Sequence, residues 1–359
     1  MDATRETVPT GIDGLEIRPF DPGAASGNEL RAFWKFWMWE WSEVYPEDPE
    51  TPFEKWLAGF RNSSWIRESK IWALWSGEAV RGDAWVEIPG TGLDPNGASV
   101  AIRVHPELHR RGLGSRLLAG VTSAAEEKGR RILRLETLDR YPSGAAFCRA
   151  IGAVAQSVTH TNRLLMTDVD PGIVSRWLEL PDDRSDLEIT EWRNGPPDER
   201  LDEMSALYQE IYDAEPDREG FERGTYHFTP EYFRQFIGSQ MAAGASILTV
   251  AASSRRDGSI LGCTEITWNP ARPAVVNQMF TGVRPASRGH GLARRLKAEM
   301  FTRIRREHPG VVCIRSANDD DNPAINRINT ELGYHPWIAR TNWHADVAIV
   351  RKYLDHRRR

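Results

Sequence analysis

The chain of 359 residues is 40% hydrophobic and 27% charged, with a formal net charge of −5 at pH 7. Its length exceeds one ordinary core and fits two domains of about 170–180 residues each. The charge balance supplies no basic field for nucleic acid or an anionic membrane, and no apolar run approaches the roughly 18 residues of a membrane-spanning helix.

In chain order, residues 1–10 are polar and carry no signal-peptide core, which makes a cytoplasmic location the expectation. Nine of the fourteen tryptophans precede residue 86, so the aromatic load belongs to the first domain. Residues 28–45 read as a helix with Asn28 as N-cap. Phe33, Trp37 and Trp41 share one face, while Trp34, Phe36 and Trp39 spread rings around the rest. Such a helix packs on more than one side or lines a pocket, and aromatic stripes at this spacing are most often core. A short helix (52–61) precedes two β-like runs, 71–75 and 84–88, with Gly77-Glu78 as a hairpin turn. After a Gly/Pro-rich loop (89–97), a strand (98–104) leads through His109-Arg110-Arg111-Gly112-Leu113-Gly114-Ser115 into a helix with Leu113, Leu117, Val121 and Ala124 along one side. A strand (132–138), a helix (143–150) and a closing strand (158–166) follow.

Residues 169–185 read as a linker holding one short helix, and then the order begins again. A strand (187–192), two helices (198–213, 230–243) and three strands (247–252, 261–268, 274–283) lead to a helix from 292. A strand (311–316), a helix (322–332) and a last strand (340–347) complete the set, and the basic run His356-Arg357-Arg358-Arg359 reads as a solvated end. Val104, Pro106, Gly112 and Gly114 recur as Val283, Pro285, Gly291 and Ala293 at a constant offset of 179 residues. Ile151-Gly152 recurs as Leu332-Gly333 at an offset of 181. A repeat of this length is a duplicated domain, so two tandem α/β domains with mixed sheets are expected, at 1–168 and 186–359.

In each copy a strand meets a helix through a glycine loop. In the second copy the glycines are Gly289 and Gly291. Such a corner turns backbone N–H groups outward at a helix start, where the macrodipole also favours negative charge. Arg288 adds a guanidinium on the loop itself. A phosphate or pyrophosphate suits this arrangement; a solvated strand–turn–helix corner is the plain alternative. The sequence has no Gly-x-x-x-x-Gly-Lys-Ser/Thr, and the third glycine of a dinucleotide fingerprint is replaced by Leu117 and Arg294. The three cysteines, Cys148, Cys263 and Cys313, have no metal-ligand spacing, so buried reduced thiols and no metal are expected.

The run Arg288-Gly289-His290-Gly291-Leu292-Ala293 follows Thr281-Gly282-Val283 and precedes Leu296-Lys297. Asn318, Asn322, Asn329 and Gly333-Tyr334 lie downstream. Together these resemble a tandem subfamily of the GNAT N-acetyltransferases, over nearly the whole chain and least in residues 1–70. The resemblance implies two GNAT-type domains and acetyl-CoA, or another acyl-CoA, as the acyl donor. It implies that Thr281 and Val283 lie beside the pantetheine arm, that 288–293 wrap the pyrophosphate, and that Asn322 contacts the donor near its sulfur. In the first copy Val104, Arg110, Arg111, Gly112, Leu113, Gly114 and Ser115 stand in the same register, while His109 departs from the Arg or Gln of the family.

The implied chemistry is direct attack of an amine on the thioester. An alkylammonium must first lose a proton, at about 3–4 kcal/mol near neutral pH, and a carboxylate is the usual base. Glu265 is the first candidate and Glu87 lies in a similar strand; each could equally be an outward-facing strand carboxylate. Many relatives keep a tyrosine as acid four residues before the last glycine, where this chain has Cys148 and Asn329. Asn329 is therefore carried as a catalytic candidate, with a surface amide as the plain alternative and an N-cap as that for Asn322. Tyr334 reads as packing and His290 as loop. The expected acceptor is a small-molecule primary amine. A peptide or protein amine and a non-catalytic acyl-CoA-binding module are the alternatives. Neither nucleic acid nor a membrane is expected as partner, and the chain is expected as a monomer or homodimer. Asp202, Glu203, Asp213, Glu215, Asp217 and Glu219 could attract a cationic acceptor or form a solvated face.

Overall fold

The computed structural model describes residues 8–62, 67–89, 96–179, 186–214, 227–320 and 322–358. The expected loop positions 90–95, linker positions 180–185 and the acidic Glu215, Asp217 and Glu219 lie outside them. The chain forms two compact units. The first takes the chain up to Ser157 and again from Arg340, and the second takes nearly all of 158–339.

The first unit opens with β1 (Val8–Pro9), β2 (Leu15–Pro19), α1 (Gly27–Val44) and α2 (Phe53–Asn62). It continues with β3 (Arg67–Ser76), β4 (Ala79–Pro89), β5 (Gly97–Val104), α3 (Leu113–Glu127), β6 (Ile132–Leu138) and α4 (Pro142–Ala150). Strands pair in sequence order, antiparallel except for the parallel β5–β6 pair. The N-cap of α1 is Ser26, not Asn28. Ser26 and Glu29 form a reciprocal capping box, which satisfies two donors at the helix start. Phe33 is fully buried on α1 and stacks on Phe20 at 4.5 Å, so the aromatic helix is core. Its Phe36 and Trp39 also face a cavity of about 930 Å³.

The chain then runs through β7 (Val154–Leu165) into α5 (Pro171–Leu178), β8 (Leu187–Arg193), α6 (Leu201–Asp213) and α7 (Pro230–Ala242). The strands β9 (Ser246–Ser254), β10 (Ile260–Trp268) and β11 (Val275–Val283) lead to α8 (Leu292–Glu307), β12 (Cys313–Asp319) and α9 (Pro323–Leu332). Last come β13 (His335–Asp346) and α10 (Val347–Arg358). In the second unit β8, β9, β10 and β11 pair antiparallel in that order, β11–β12 is parallel, and β12 pairs with residues 159–165 of β7.

The units therefore do not coincide with 1–168 and 186–359. Residues 340–346 of β13 pair with β6 in the first unit, while the last part of β7 closes the second. Each sheet is closed by a strand whose sequence belongs to the other repeat. The side chains agree with this: Trp343 and Ala345 are buried in the core of the first unit, and Leu164 in that of the second. The sequence reading also missed α10. Its Val347, Val350 and Leu354 fall at helical spacing and are buried in the first core, while His356 and Arg357 of the basic run are exposed, as expected of a solvated end. Likewise α5 is no tether, since Val174 packs into the core of the second unit. Among the described residues no helix is long and apolar enough to cross a membrane.

Candidate active site

The two loops have nearly the same backbone. Gly112 (φ 80°) and Gly291 (φ 80°) are left-handed N-cap residues of α3 and α8, and neither helix start has a side-chain cap. Free N–H groups thus remain at both helix starts for an anion. Leu113 and Leu292 are each 1% exposed and pin the first turn to the core. Arg288 folds back so that its Nε–H donates to the Val283 carbonyl at 3.1 Å. His109 does the same to Val104 through Nε2 at 2.8 Å, so the residue that departs from the family pattern still ties its loop. One difference is strain: Gly289 (φ 82°) corresponds to Arg110, whose φ of 63° is left-handed too. Arg110→Gly is expected to stabilise the first unit by on the order of 0.5–1 kcal/mol, seen as a higher urea midpoint at unchanged slope; a lower midpoint would exclude strain there.

In the second unit the loop opens onto a cleft of about 940 Å³. Strands β11 and β12 hydrogen-bond only from Val275↔Cys313 to Gln278↔Ser316, and then diverge. Beside this divergence β11 carries a bulge: Glu265 faces Phe280 while Ile266 faces Gln278, so Met279 is an extra residue. Thr281, Val283, Arg288, Gly289, Gly291, Leu292, Ala293 and Asn322 all line this cleft. His290 is exposed and does not. Asn322 is also the N-cap of α9, its side chain accepting from the Ile325 N–H, so its plain reading and its cleft position hold together.

Deeper in the same unit, Glu265 is 7% exposed. Its carboxylate accepts from the Tyr208 hydroxyl and from Thr249 Oγ1, the latter at 2.8 Å. Burial raises its pKa above the usual carboxylate range, against the two hydrogen bonds that lower it. Tyr208 is only partly buried and stacks on Phe280 at 4.0 Å, and Phe280 lines the cleft. The pair thus links a tyrosine stacked behind the cleft wall to a sealed carboxylate. Burial, then the facing Glu265, push the phenol well above its ordinary value. Asn329 is no surface amide: it is 2% exposed, and its Nδ2 donates at 2.7 Å to Oδ1 of Asn318, a cleft residue. Tyr334 is buried packing. Glu203 accepts the Ile260 N–H and pairs with Arg200 at 2.9 Å, which leaves Asp202 and Asp213 as exposed acids on α6.

Sequence reading missed two residues. Tyr208 was hidden in an ordinary amphipathic run. Lys297 stands one residue after Leu296 on the buried side of α8, a polar residue where spacing asks for an apolar one. It is 2% exposed, lines the cleft, and its Nζ has no hydrogen-bond partner among the described residues; burial lowers its pKa to about 7.

The first unit repeats the splay, since β5 and β6 pair only from Gly97↔Ile132 to Val100↔Leu135. Its chemistry differs. Counting from Val104 and Val283 along the paired strands, Trp85 takes the place of Glu265, Asp83 that of Cys263, and Arg103 that of Gly282. Glu87 falls opposite Ser99, two residues from the position of Glu265, so it is not the matching carboxylate. Arg103 donates to both oxygens of the fully buried Asp83 at 2.8 Å and reaches Glu40 at 3.3 Å. At Gly282 a Cβ would come within 2.4 Å of Phe280 and 2.6 Å of Ile211, so any side chain there displaces one of them. Ser115 turns away from its loop to Tyr353 Oη at 3.0 Å.

Two α/β units, each with a diverging parallel strand pair and a glycine loop opening a helix, form the tandem arrangement expected from the loops. The comparisons agree. The model of the acetyltransferase (GNAT) family matches residues 30–152, and the chain as a whole has a tandem GNAT fold. A tandem GNAT protein from the clavulanic acid biosynthesis pathway is 22% identical with a TM-score of 0.76, covering 93% of this chain and 98% of that one. A GCN5-related N-acetyltransferase from Sphaerobacter thermophilus is 14% identical with a TM-score of 0.66, covering 94% and 96%. A GCN5-related glucosamine N-acetyltransferase region of a fungal multi-domain β-N-acetylglucosaminidase is 13% identical at a TM-score of 0.64, covering 92% of this chain and 38% of that one. No curated protein sequence matches the chain. The family match falls on the first repeat, the one that carries Arg103 and Trp85.

Proposed function

We propose that the chain transfers an acetyl group from acetyl-CoA to the primary amine of a small molecule, and that the second unit carries the reaction. The observation that supports this most is the cleft of about 940 Å³, which runs from the glycine loop to Phe280, on whose ring Tyr208, the hydrogen-bond donor to Glu265, stacks. The residues present suit an acyl-CoA. Uncapped N–H groups and Arg288 meet the pyrophosphate, and the divergence of β11 from β12 leaves room for the arm. The bound donor supplies an activated thioester carbonyl. Asn322 and the loop residues orient it. Glu265, with its raised pKa, takes the proton of the acceptor ammonium through the Tyr208 hydroxyl it holds, which brings the base closer to the acid it must deprotonate. Gly282 keeps the approach to Phe280 free of side-chain bulk.

The first unit has the loop without this machinery. Trp85 replaces the base, and Asp83 and Glu40 are both engaged by Arg103. It is read as an acyl-CoA-binding unit that does not transfer. A release assay for free thiol, with acetyl-CoA and a panel of amino sugars, amino acids and peptides, tests the whole reading. Gly291→Glu puts a carboxylate where the pyrophosphate would sit and is expected to lower activity at least about 100-fold, whereas Gly112→Glu leaves most of it. Equal losses in the two variants would move catalysis out of the second unit.

A further inference from the structure

We propose that Lys297 binds the acyl-CoA arm, its Nζ donating to an amide carbonyl of that arm. This rests on the acyl-CoA reading of the cleft and names one binding residue within it. Lys297 lines the cleft, and its Nζ is buried without a hydrogen-bond partner among the described residues. Nζ sits over the Tyr334 ring, whose centroid lies 5.3 Å away. A buried donor left unpaired is unfavourable, and an acceptor brought in by a ligand satisfies it. The pantetheine arm carries two amide carbonyls.

The duplication provides an internal control. The residue matching Lys297 in the first unit is Leu118, fully buried in an apolar core. The fold therefore needs no cation at this place, and an unpaired buried ammonium is unfavourable there. Position argues for the arm over the pyrophosphate. Lys297 lies six residues beyond Gly291, about 9 Å along the helix axis from the loop. The inner strands line the same cleft with Gln278, Ser316 and Asn318, which are neutral hydrogen-bonding side chains. The nearby Arg294 is already held by Glu331 at 2.8 Å. A neutral amide suits that wall better than a phosphate.

Calorimetric titration with two probes tests the assignment: acetyl-CoA, and 3′-phospho-ADP, which keeps the pyrophosphate and lacks the arm. Lys297→Leu, which installs the residue of the first unit, is expected to weaken acetyl-CoA binding to the second unit by on the order of 10–100-fold. Its binding of 3′-phospho-ADP should be unchanged. Gly112→Glu in all proteins confines the titration to the second loop, and Lys297→Met repeats the measurement in a side chain of similar length. Equal acetyl-CoA affinity in wild type and variants, or equal weakening of both probes, would overturn the role of Lys297. Failure of the wild-type second unit to bind either probe would instead overturn the acyl-CoA reading.

Discussion

Glu265→Gln is expected to lower kcat by about 10²–10³-fold with little change in the affinity for acetyl-CoA. The carboxylate is sealed beneath Tyr208 and does not line the cleft, so its removal takes away a proton acceptor and no donor contact. The pH profile carries the sharper test. Only the ionised carboxylate accepts a proton, and burial has raised its pKa above the ordinary range. Wild-type kcat should therefore fall as pH drops through a value higher than an exposed glutamate would give, and the variant should lose that limb. Stability moves the other way. A carboxyl whose folded pKa exceeds its unfolded one adds stability below the unfolded value and loses it as pH rises through the folded one. At neutral pH the buried charge is thus unfavourable, and Gln is not expected to lower the melting temperature. A variant that keeps the wild-type acid limb would remove Glu265 from the mechanism. Tyr208→Phe should share the loss if the hydroxyl is the path, and should leave kcat unchanged if water reaches Glu265 directly.

What was legible in the sequence was local. The glycine loops could be read because a left-handed backbone at Gly112 and Gly291 is a demand on residue type. Their repetition at a fixed offset then identified the duplication. The capping box is legible too, since Ser26 and Glu29 stand three apart ahead of the aromatic run. The pairing of strands was not legible. Period-2 patterning says which face of β7 or β13 is apolar but not which neighbour it joins, so the exchange of closing strands stayed hidden. The same limit misplaced Glu87. Only the register, with its bulge at Met279, shows that Trp85 stands where Glu265 does. Lys297 was visible as a polar residue at an apolar position, yet whether it had a partner is a property of three strands and two helices at once.

That unpartnered ammonium carries the last prediction, and its sign is unusual for a core substitution. Lys297→Leu is expected to stabilise the protein at neutral pH, by on the order of 2–4 kcal/mol. Burial moves the lysine from its ordinary 10.5 to about 7 in the folded state. Each unit of that shift is worth about 1.4 kcal/mol, and the contact with the Tyr334 ring offsets roughly 1–2 kcal/mol of the total. Leucine has none of this penalty and already fits the matching site as Leu118. In the window between about 7 and 10.5 the unfolded chain holds the proton and the folded one has released it. Wild-type stability therefore rises with pH across that window. The advantage of the variant should be largest at and below pH 7 and shrink toward pH 10.5. Thermal melts from pH 6 to 10 measure it, and a gap that favours wild type, or one that does not narrow with pH, would show that Nζ has a partner after all. A gain in stability together with a loss of acetyl-CoA affinity is what a residue kept for binding, against the preference of the core, should show.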